Sequence, residues 1–175
     1  MRNIKLLVIL SLTVVVFACK EDPSEPHLQE EYISTFYFIR HAEKDRSDPD
    51  NIDPELNQDG LGRAMRWAGI LDAVDLDAIY ITDFERTAMT AAPTSVKKEI
   101  TPQYYDPKAI IIEDFIRDNL NKNVLIVGHS NTTPEFVNAI LDEQKYEAMD
   151  DYDNSSLFIV RVINGKASDI RLNMD

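Results

Sequence analysis

Two arginines and two histidines of this sequence are of the types that bind and attack phosphate groups. Arg40 and His41 are adjacent in the stretch FIRHAEK, Arg86 lies in DFERTAM, and His129 follows VLIVG. A guanidinium group offers parallel N–H donors to a phosphate, and an unprotonated imidazole nitrogen is a nucleophile. If the four side chains meet, they form a site for phosphoryl chemistry. If they do not meet, they are structural histidines and surface arginines.

Three segments rich in β-branched, aromatic and aliphatic residues predict buried strands: residues 34–40, 77–82 and 123–128. His41 and His129 come directly after the first and the third of these strands. Arg86 lies in the turn or the first helical residues after the second. In open α/β sheets, ligands bind outside the carboxyl ends of the strands. We therefore expect one positively charged crevice made by segments that are distant in sequence.

The segments between the strands carry helical patterns, over residues 56–74, 83–92, 106–120 and 133–142. The apolar face of the first helix is predicted to contain Leu61, Ala64, Met65, Ala68 and Leu71, with Trp67 packed beside it. Asp83 and Asp106 are expected to cap the second and third helices, and Pro93 is expected to end the second.

The alternation of strands and helices predicts an α/β fold with helices on both faces of a largely parallel sheet. Residues 97–100 predict a further, weak strand. Residues 155–172 predict a C-terminal hairpin about Asn164-Gly165, a pair that suits a tight turn. The expected architecture is thus a three-layer α/β/α sandwich.

The amino-terminal residues predict export and lipidation. Residues 1–18 contain Arg2 and Lys5 ahead of an apolar run that is too short to cross a bilayer, which is typical of a signal peptide. The stretch VFAC resembles the lipobox of bacterial lipoproteins, which implies that Cys19 is acylated; a plain secretory signal is the alternative. Residues 19–31 predict a lipidated cysteine and a flexible tether, and residues 32–175 the functional domain. We expect a lipid-anchored protein of the cell envelope whose only membrane contact is the anchor.

The charge of the chain limits its partners. The formal net charge is −13, so the protein as a whole repels nucleic acid and anionic membrane surfaces. An anionic ligand therefore has to be bound by a local concentration of positive charge. Cys19 is the single cysteine, so its acylation leaves no thiol for catalysis or for a disulfide.

Three motifs in order resemble the signatures of the histidine phosphatase superfamily, also called the phosphoglycerate mutase-like superfamily. They are FIRHAEK, ITDFERTAMTAA and VLIVGHSNTTP, and LNQDGLGRA is similar to the first helix of that family. The resemblance runs from about residue 35 to about residue 141. It is closest to the small bacterial members of the superfamily, which implies a phosphoglycerate mutase-like fold.

The resemblance implies a catalytic role for each of the four residues. His41 would attack phosphorus and form a phosphohistidine, which water then hydrolyses. Arg40, Arg86 and His129 would donate hydrogen bonds to the phosphoryl oxygens as negative charge spreads over them. No metal ion or other cofactor is implied.

The sequence departs from the commonest family pattern at several positions. Ala42 stands where glycine is usual, and Ser130 stands where the acid phosphatase branch has a proton-donating aspartate. The stretch after the second arginine is short and lacks a clear counterpart to the acidic residue of the mutases. Glu43, Glu99 and Asp106 are the remaining candidates for the general acid, or there is none.

Two further residues are candidates for substrate binding. Lys44 is in the position of a phosphate-binding arginine of the acid phosphatase branch, and a solvated lysine is the alternative. Glu43 is either a substrate-site carboxyl or an ion-pair partner that orients Arg40 or Lys44. Three nearby aspartates do not have the spacing of a calcium-binding loop, and we expect them in a solvated loop over the site: Asp48, Asp50 and Asp53.

These observations predict a metal-independent phosphomonoesterase. Its substrate would be an extracytoplasmic small-molecule or glycolipid phosphate ester. The alternative is a catalytically silent lipoprotein of the same fold that binds phosphate esters without hydrolysing them.

Overall fold

Residues 31–175 are described by a computed structural model of the chain. The predicted signal peptide, Cys19 and nearly all of the tether lie outside the described residues. The strands are β1 (Ile33–Arg40), β2 (Ala78–Ile81), β3 (Gln103–Tyr104), β4 (Asn123–Gly128), β5 (Ser156–Ile163) and β6 (Lys166–Asn173). The helices are α1 (Gln58–Ile70), α2 (Glu85–Lys98), α3 (Ile112–Asp118) and α4 (Thr132–Leu141). Within residues 31–175, no helix has the length and apolarity needed to cross a membrane.

The six strands form one sheet in the order β3-β2-β4-β1-β5-β6. The first four of these are parallel to one another, and β5 and β6 join as an antiparallel hairpin at one edge. Asn164 and Gly165 both have positive φ, as the tight turn between β5 and β6 requires. The predicted sheet type and hairpin are confirmed.

Helices cover both faces of the sheet, so the predicted three-layer architecture is also confirmed. On one face, Phe36 and Phe38 of β1 contact Phe115 of α3 and Phe136 of α4. The opposite face packs against α1 and α2 in a cluster that includes Ile39, Trp67, Leu71, Ala91 and Leu125. Because β1 and β4 are buried on both sides, their carboxyl ends are held rigidly.

The buried face of α1 agrees with the prediction in part, because Ala64, Ala68 and Leu71 are buried and Leu61 and Met65 are not. Trp67 is 1% exposed, as expected of a packed side chain, but Met65 is 64% exposed and Leu61 also faces solvent. The residues that α1 buries are Gly60, Ala64, Trp67 and Ala68. The bulk of the indole sets the rotation of the helix, because burying Trp67 removes more apolar surface from water than burying Met65.

Helix α2 is longer than predicted. Phe84 precedes it, so Asp83 is not its cap, and Pro93 lies inside it. Pro93 removes one hydrogen bond of the helix, and packing of the buried Ala91 and Thr94 offsets this loss. The predicted weak strand at residues 97–100 is therefore wrong: Lys97 and Lys98 end α2, Glu99 is its left-handed cap, and the strand at the β2 edge of the sheet is β3.

Helix α3 is shorter than predicted. The carboxylate of Asp106 accepts a hydrogen bond from the amide of Lys108 at 2.9 Å, and its carbonyl accepts from Ala109 and Ile110. These bonds close a turn, and the helix begins six residues later. Asp106 thus caps a turn, which an N-cap pattern in the sequence does not distinguish from a helix start.

Candidate active site

The parallel register of β1 and β4 places the two histidines side by side. Arg40 pairs with Gly128, and the amide of His41 donates to the carbonyl of Gly128 at 3.0 Å. The imidazole rings of His41 and His129 have their centroids 5.5 Å apart. A cavity of about 700 Å³ opens at this edge of the sheet, lined in part by Arg40, His41, Lys44, Arg86 and His129. The structure therefore brings together the four residues that the sequence singles out.

The His41 ring is 3% exposed and is held in one orientation. Its Nδ1 lies 2.8 Å from the carbonyl oxygen of Ala42, so Nδ1 carries the proton and donates it. Burial, together with Arg40, His129 and Arg86, lowers the pKa of His41 from 6.5 to about 3, against the opposing effect of the Ala42 carbonyl. The other nitrogen, Nε2, therefore keeps a lone pair at neutral pH.

The backbone of the loop after His41 is fixed by buried side chains. The amide of Ala42 donates to Thr90 Oγ1 of α2 at 2.8 Å, and Asn154 Nδ2 donates to the carbonyl of His41 at 2.7 Å. Ala42 itself is fully buried. Its methyl group, at a position where glycine is usual, packs in a small apolar cluster with Leu56 and Ala64.

Gly60 of α1 is in close contact with this loop. A Cβ at Gly60 would lie 2.1 Å from the carbonyl oxygen of Glu43, whereas a Cβ at Gly62 meets nothing nearer than Arg66 Nη1 at 3.7 Å. We expect Gly60→Ala to lower the free energy of unfolding by about 1–3 kcal/mol and to reduce activity, because the loop that follows His41 has to shift.

Gly62→Ala is the matched control for Gly60→Ala. It should raise the free energy of unfolding by about 0.5–1 kcal/mol, since alanine is the better helix former. Chemical denaturation and hydrolysis of an aryl phosphate measure the two effects. Equal stability of the two variants would contradict the close contact between α1 and the loop.

Arg40 and Arg86 are each held through terminal Nη atoms, and within residues 31–175 their Nε atoms have no hydrogen-bond partner. Arg40 is 1% exposed; its Nη1 donates to the carbonyl of Asp150 at 2.8 Å and its Nη2 to Asp151 Oδ1 at 2.7 Å. Arg86 Nη1 donates to Asp53 Oδ1 at 3.1 Å. The Nε atoms of Arg40 and Arg86 are buried without a hydrogen-bond partner among the described residues. Two unsatisfied cationic donors beside a cavity favour an anionic ligand.

Two aspartates that position these arginines were not identified from the sequence. Asp53 was predicted to lie free in solvent, and it does not. Both of its carboxylate oxygens accept a hydrogen bond from the amide of Glu85 at 3.1 Å, which caps α2. The same carboxylate also forms an ion pair with Arg86. Asp151 binds both Arg40 and Arg46. Asp53 was recognisable as part of an acidic loop near the site, but the segment around Asp151 carries no pattern that indicates its role. Asp48 and Asp50 are solvent-exposed, as predicted.

His129 is oriented by contacts at both ring nitrogens. Nε2 lies 2.8 Å from Thr82 Oγ1, and Nδ1 lies 3.5 Å from Arg86 Nη2. The edge-to-face contact with Phe84, at a centroid distance of 4.9 Å, supports the ring from a third side. Burial, then Arg86 and Arg40, lower the pKa of His129 from 6.5 to about 4. His129 is therefore neutral at pH 7.

The lowered pKa values predict that neither ring gains charge between about pH 5 and pH 8, where an ordinary histidine titrates. Long-range ¹H–¹⁵N NMR spectra, assigned with His41→Gln and His129→Gln, measure this.

The unfolded chain binds more protons than the folded one between pH 6.5 and the folded-state pKa values of about 3 and about 4. The free energy of unfolding should therefore fall as pH falls through that window. A ring that titrates near pH 6.5 would contradict the prediction.

Of the other residues that the sequence singled out, some line the cavity and some do not. Lys44 and Asp106 line it. Glu43 does not, and it pairs with Arg63 at 2.8 Å. It therefore orients neither Arg40 nor Lys44, and the geometry gives it no contact with a substrate in the cavity.

Carboxyl groups at the cavity differ in their ability to donate a proton. Glu99 ends α2 outside the cavity lining, so of the three candidates from the sequence only Asp106 lines the cavity. Asp83 and Asp151 line it as well. Hydrogen bonds from Arg46 and Arg40 lower the pKa of Asp151 to about 2, so Asp151 is ionised at neutral pH. Asp106 and Asp83 are left as carboxyl groups for proton transfer.

Metal-ligating side chains do not cluster in this part of the chain: no group of three or more His, Cys, Asp or Glu residues among residues 31–175 is arranged to hold a metal ion. The arginines and histidines described above line the cavity together with Lys44, Asp83, Asp106 and Asp151. Guanidinium and imidazole N–H groups are donors that bind anions directly.

Comparison with known proteins agrees with the motifs. Residues 36–108 match the model of the histidine phosphatase superfamily (branch 1). This is the superfamily that the motifs resemble. The matched range includes Arg40, His41 and Arg86, and ends before His129. No curated protein matches the chain by sequence.

Several solved structures share the histidine phosphatase fold. YhfR of Bacillus stearothermophilus is 20% identical, with 77% of this chain and 94% of that chain covered and a TM-score of 0.62. A phosphoserine phosphatase variant of Entamoeba histolytica in complex with phosphoserine is 15% identical, with 80% and 96% covered and a TM-score of 0.63. The alpha-ribazole phosphatase of Shigella flexneri is 15% identical, with 79% and 96% covered and a TM-score of 0.63. At these identities the similarity shows the fold alone. The enzyme class predicted from the motifs, a histidine-type phosphatase, is that of the family whose model matches residues 36–108.

Proposed function

We propose that this protein is a metal-independent phosphomonoesterase that works through a phosphohistidine on His41. One observation carries the proposal: two buried guanidinium Nε donors have no partner among the described residues, beside an imidazole whose Nε2 keeps its lone pair. This arrangement suits a phosphoryl group that is hydrogen-bonded by two arginines while the imidazole attacks its phosphorus atom.

The reaction proceeds in two displacements at phosphorus. Nε2 of His41 attacks phosphorus, the P–N bond forms, and the P–O bond to the alcohol breaks. The leaving oxygen takes a proton from Asp106, Asp83 or solvent. Water then attacks phosphorus and gives its proton to the same group or to solvent, the P–N bond breaks with its electron pair returning to Nε2, and phosphate is released. Arg40, Arg86 and His129 stabilise the charge on the phosphoryl oxygens in both steps.

The supply of the leaving-group proton limits the range of substrates. Asp106 and Asp83 line the cavity, but no ion pair within residues 31–175 fixes either of them. Poor leaving groups need protonation as the bond breaks, whereas phenols do not. We propose that aryl phosphates and similarly activated esters are hydrolysed faster than alkyl phosphates. Glycerol phosphate turned over as fast as an aryl phosphate would contradict this.

A purified full-length chain, assayed with an aryl phosphate in the presence of EDTA, tests the function directly. Hydrolysis that persists without free metal ions is the expected result. Binding of inorganic phosphate without hydrolysis would instead support the silent receptor that the sequence left open. Absence of both binding and hydrolysis would contradict the assignment of the site.

We propose further that the substrate is an extracytoplasmic small-molecule or glycolipid phosphate ester, and that acylated Cys19 anchors the protein in the cell envelope. The cavity of about 700 Å³ exceeds what a phosphate group fills, which suits a sugar or headgroup attached to the phosphate. A structural neighbour is a phosphoserine phosphatase bound to phosphoserine, a small phosphomonoester.

Cell fractionation tests membrane attachment of the protein independently of its hydrolytic activity. Cys19→Ser is expected to prevent acylation while the domain keeps its hydrolytic activity. Mass spectrometry of the amino-terminal peptide detects the lipid. A panel of phosphorylated sugars and glycolipids, compared by kcat/KM, identifies the substrate class.

A further inference from the structure

The hydrogen bonds behind His129 form a chain of hydroxyl groups. His129 Nε2 contacts Thr82 Oγ1 at 2.8 Å, and Thr82 Oγ1 contacts Thr87 Oγ1 at 3.2 Å. Thr87 Oγ1 is 2.8 Å from the carbonyl oxygens of both Thr82 and Phe84. Thr82 is 2% exposed and Thr87 is fully buried. Solvent therefore has little access to the Nε2 side of His129, and Thr82 is its hydrogen-bond partner there.

The contacts of His129 with Arg86 and Thr82 favour one tautomer of the ring. A neutral imidazole has one N–H donor and one acceptor nitrogen. The guanidinium of Arg86 can only donate, and its Nη2 faces Nδ1 of His129. Nδ1 is then the acceptor, Nε2–H donates to Thr82 Oγ1, Thr82 donates to Thr87, and Thr87 donates to a carbonyl. Every proton in this chain has an acceptor.

A phosphate bound at Nδ1 of His129 needs a proton on that nitrogen. The phosphoryl oxygens accept hydrogen bonds, so Nδ1 has to carry the proton when it faces them, and a neutral ring then has Nε2 as its acceptor. A hydroxyl group can reverse its role by rotating its O–H bond, which no amide, ammonium or carboxylate group can do.

Charging His129 would be the other way to make Nδ1 a donor. The groups that act on this ring are Arg86, Arg40, Asp53 and Lys44, and His41 lies at its edge. Three of these are cations and oppose a further positive charge, whereas Asp53 and the negative charge of a bound phosphate favour it. Reversal of one hydrogen bond adds no charge to the ring, and the NMR spectra of the phosphate complex distinguish the two.

We propose that Thr82 is a positioning residue, whose hydroxyl reverses its hydrogen bond with Nε2 so that neutral His129 presents Nδ1–H to a bound phosphate. The inference rests on the proposed phosphate site. It explains how a histidine that accepts a hydrogen bond from Arg86 becomes a donor to the phosphoryl group. Thr82 itself contacts the ring and not the reacting atoms.

Two variants at Thr82 measure the contribution of its hydroxyl group to phosphate binding. Thr82→Val keeps the shape and removes the hydroxyl, and Thr82→Ser keeps the hydroxyl. We expect Thr82→Val to weaken binding of inorganic phosphate about tenfold, the effect of one hydrogen bond of ordinary strength. Thr82→Ser should stay within about threefold of the unsubstituted protein. Thr94→Val is the matched control, because Thr94 is equally buried in α2 and does not line the cavity.

The tautomer is read directly from ¹⁵N NMR spectra of the full-length chain, without and with inorganic phosphate. The expected result is Nε2–H at His129 in the free protein and Nδ1–H in the phosphate complex. The same tautomer in both states, a doubly protonated ring in the complex, or unchanged affinity of Thr82→Val would overturn the inference. If Thr82→Val does not fold, the spectra of the unsubstituted protein alone decide. Failure of the unsubstituted protein to bind phosphate would instead contradict the proposed function.

Discussion

We expect His41→Ala to abolish hydrolysis of any phosphomonoester by the full-length chain. The substitution removes the only nitrogen proposed to bond to phosphorus, and without it the arginines can bind the ester but form no covalent intermediate. The fold should survive, because the loop is also held through backbone contacts of Ala42 with Thr90 and of residue 41 with Asn154.

Steady-state assays and an alkaline quench measure the effect of His41→Ala. During turnover of an aryl phosphate, the unsubstituted protein should gain the mass of one phosphoryl group, and the variant should not. His27→Ala is the control, because this histidine precedes the predicted domain and has no assigned role. Retained turnover in His41→Ala would overturn the assignment of the nucleophile, whatever the behaviour of the other residues.

Arg86→Lys should have the second-largest effect, a loss of kcat/KM on the order of a hundredfold to a thousandfold. Lysine keeps the positive charge next to Asp53 but lacks the planar fork and the Nε donor that is unpaired among the described residues. The guanidinium also stacks at 4.1 Å from the centre of the Phe84 ring, which fixes its direction. A flexible ammonium group would hold the phosphoryl oxygens less rigidly as charge builds on them.

The control for Arg86→Lys is Arg66→Lys, a substitution of the same kind at an exposed position of α1. The control should leave both kcat and KM unchanged. Isothermal titration with inorganic phosphate, compared with kcat, shows whether Arg86 contributes to ground-state binding or mainly to the transition state. A loss of less than about tenfold would be inconsistent with a direct contact to the reacting group.

The site was predictable to the extent that its residues follow strands. Each of His41 and His129 comes directly after an apolar strand pattern, and parallel strands bring such positions to one edge of the sheet. Asp151 could not be found in this way. Its contact with Arg40 spans 111 residues of sequence, and it comes from a loop without periodicity, where no local pattern records which side chain lies opposite.

The errors in the element boundaries have a common physical origin. Asp106 and Pro93 follow local rules for starting and ending helices, but packing of the whole helix outweighed those rules at Pro93, and a turn used the same capping bonds at Asp106. Met65 was expected in the core because it follows the helical spacing. Trp67 is buried as predicted and Met65 is exposed, because the helix face that carries the larger apolar side chain packs against the sheet.

By itself, the sequence determined the alternation of strands and helices, the placement of two imidazoles and two guanidinium groups at strand exits, and the acidic character of the chain. These follow from local periodicity and residue chemistry. Tertiary structure alone decided which aspartates hold the arginines, that Glu43 turns to Arg63, and that a threonine lies behind His129. Those contacts depend on how distant segments dock, because hydrogen-bond direction and burial are set only when the layers are packed together.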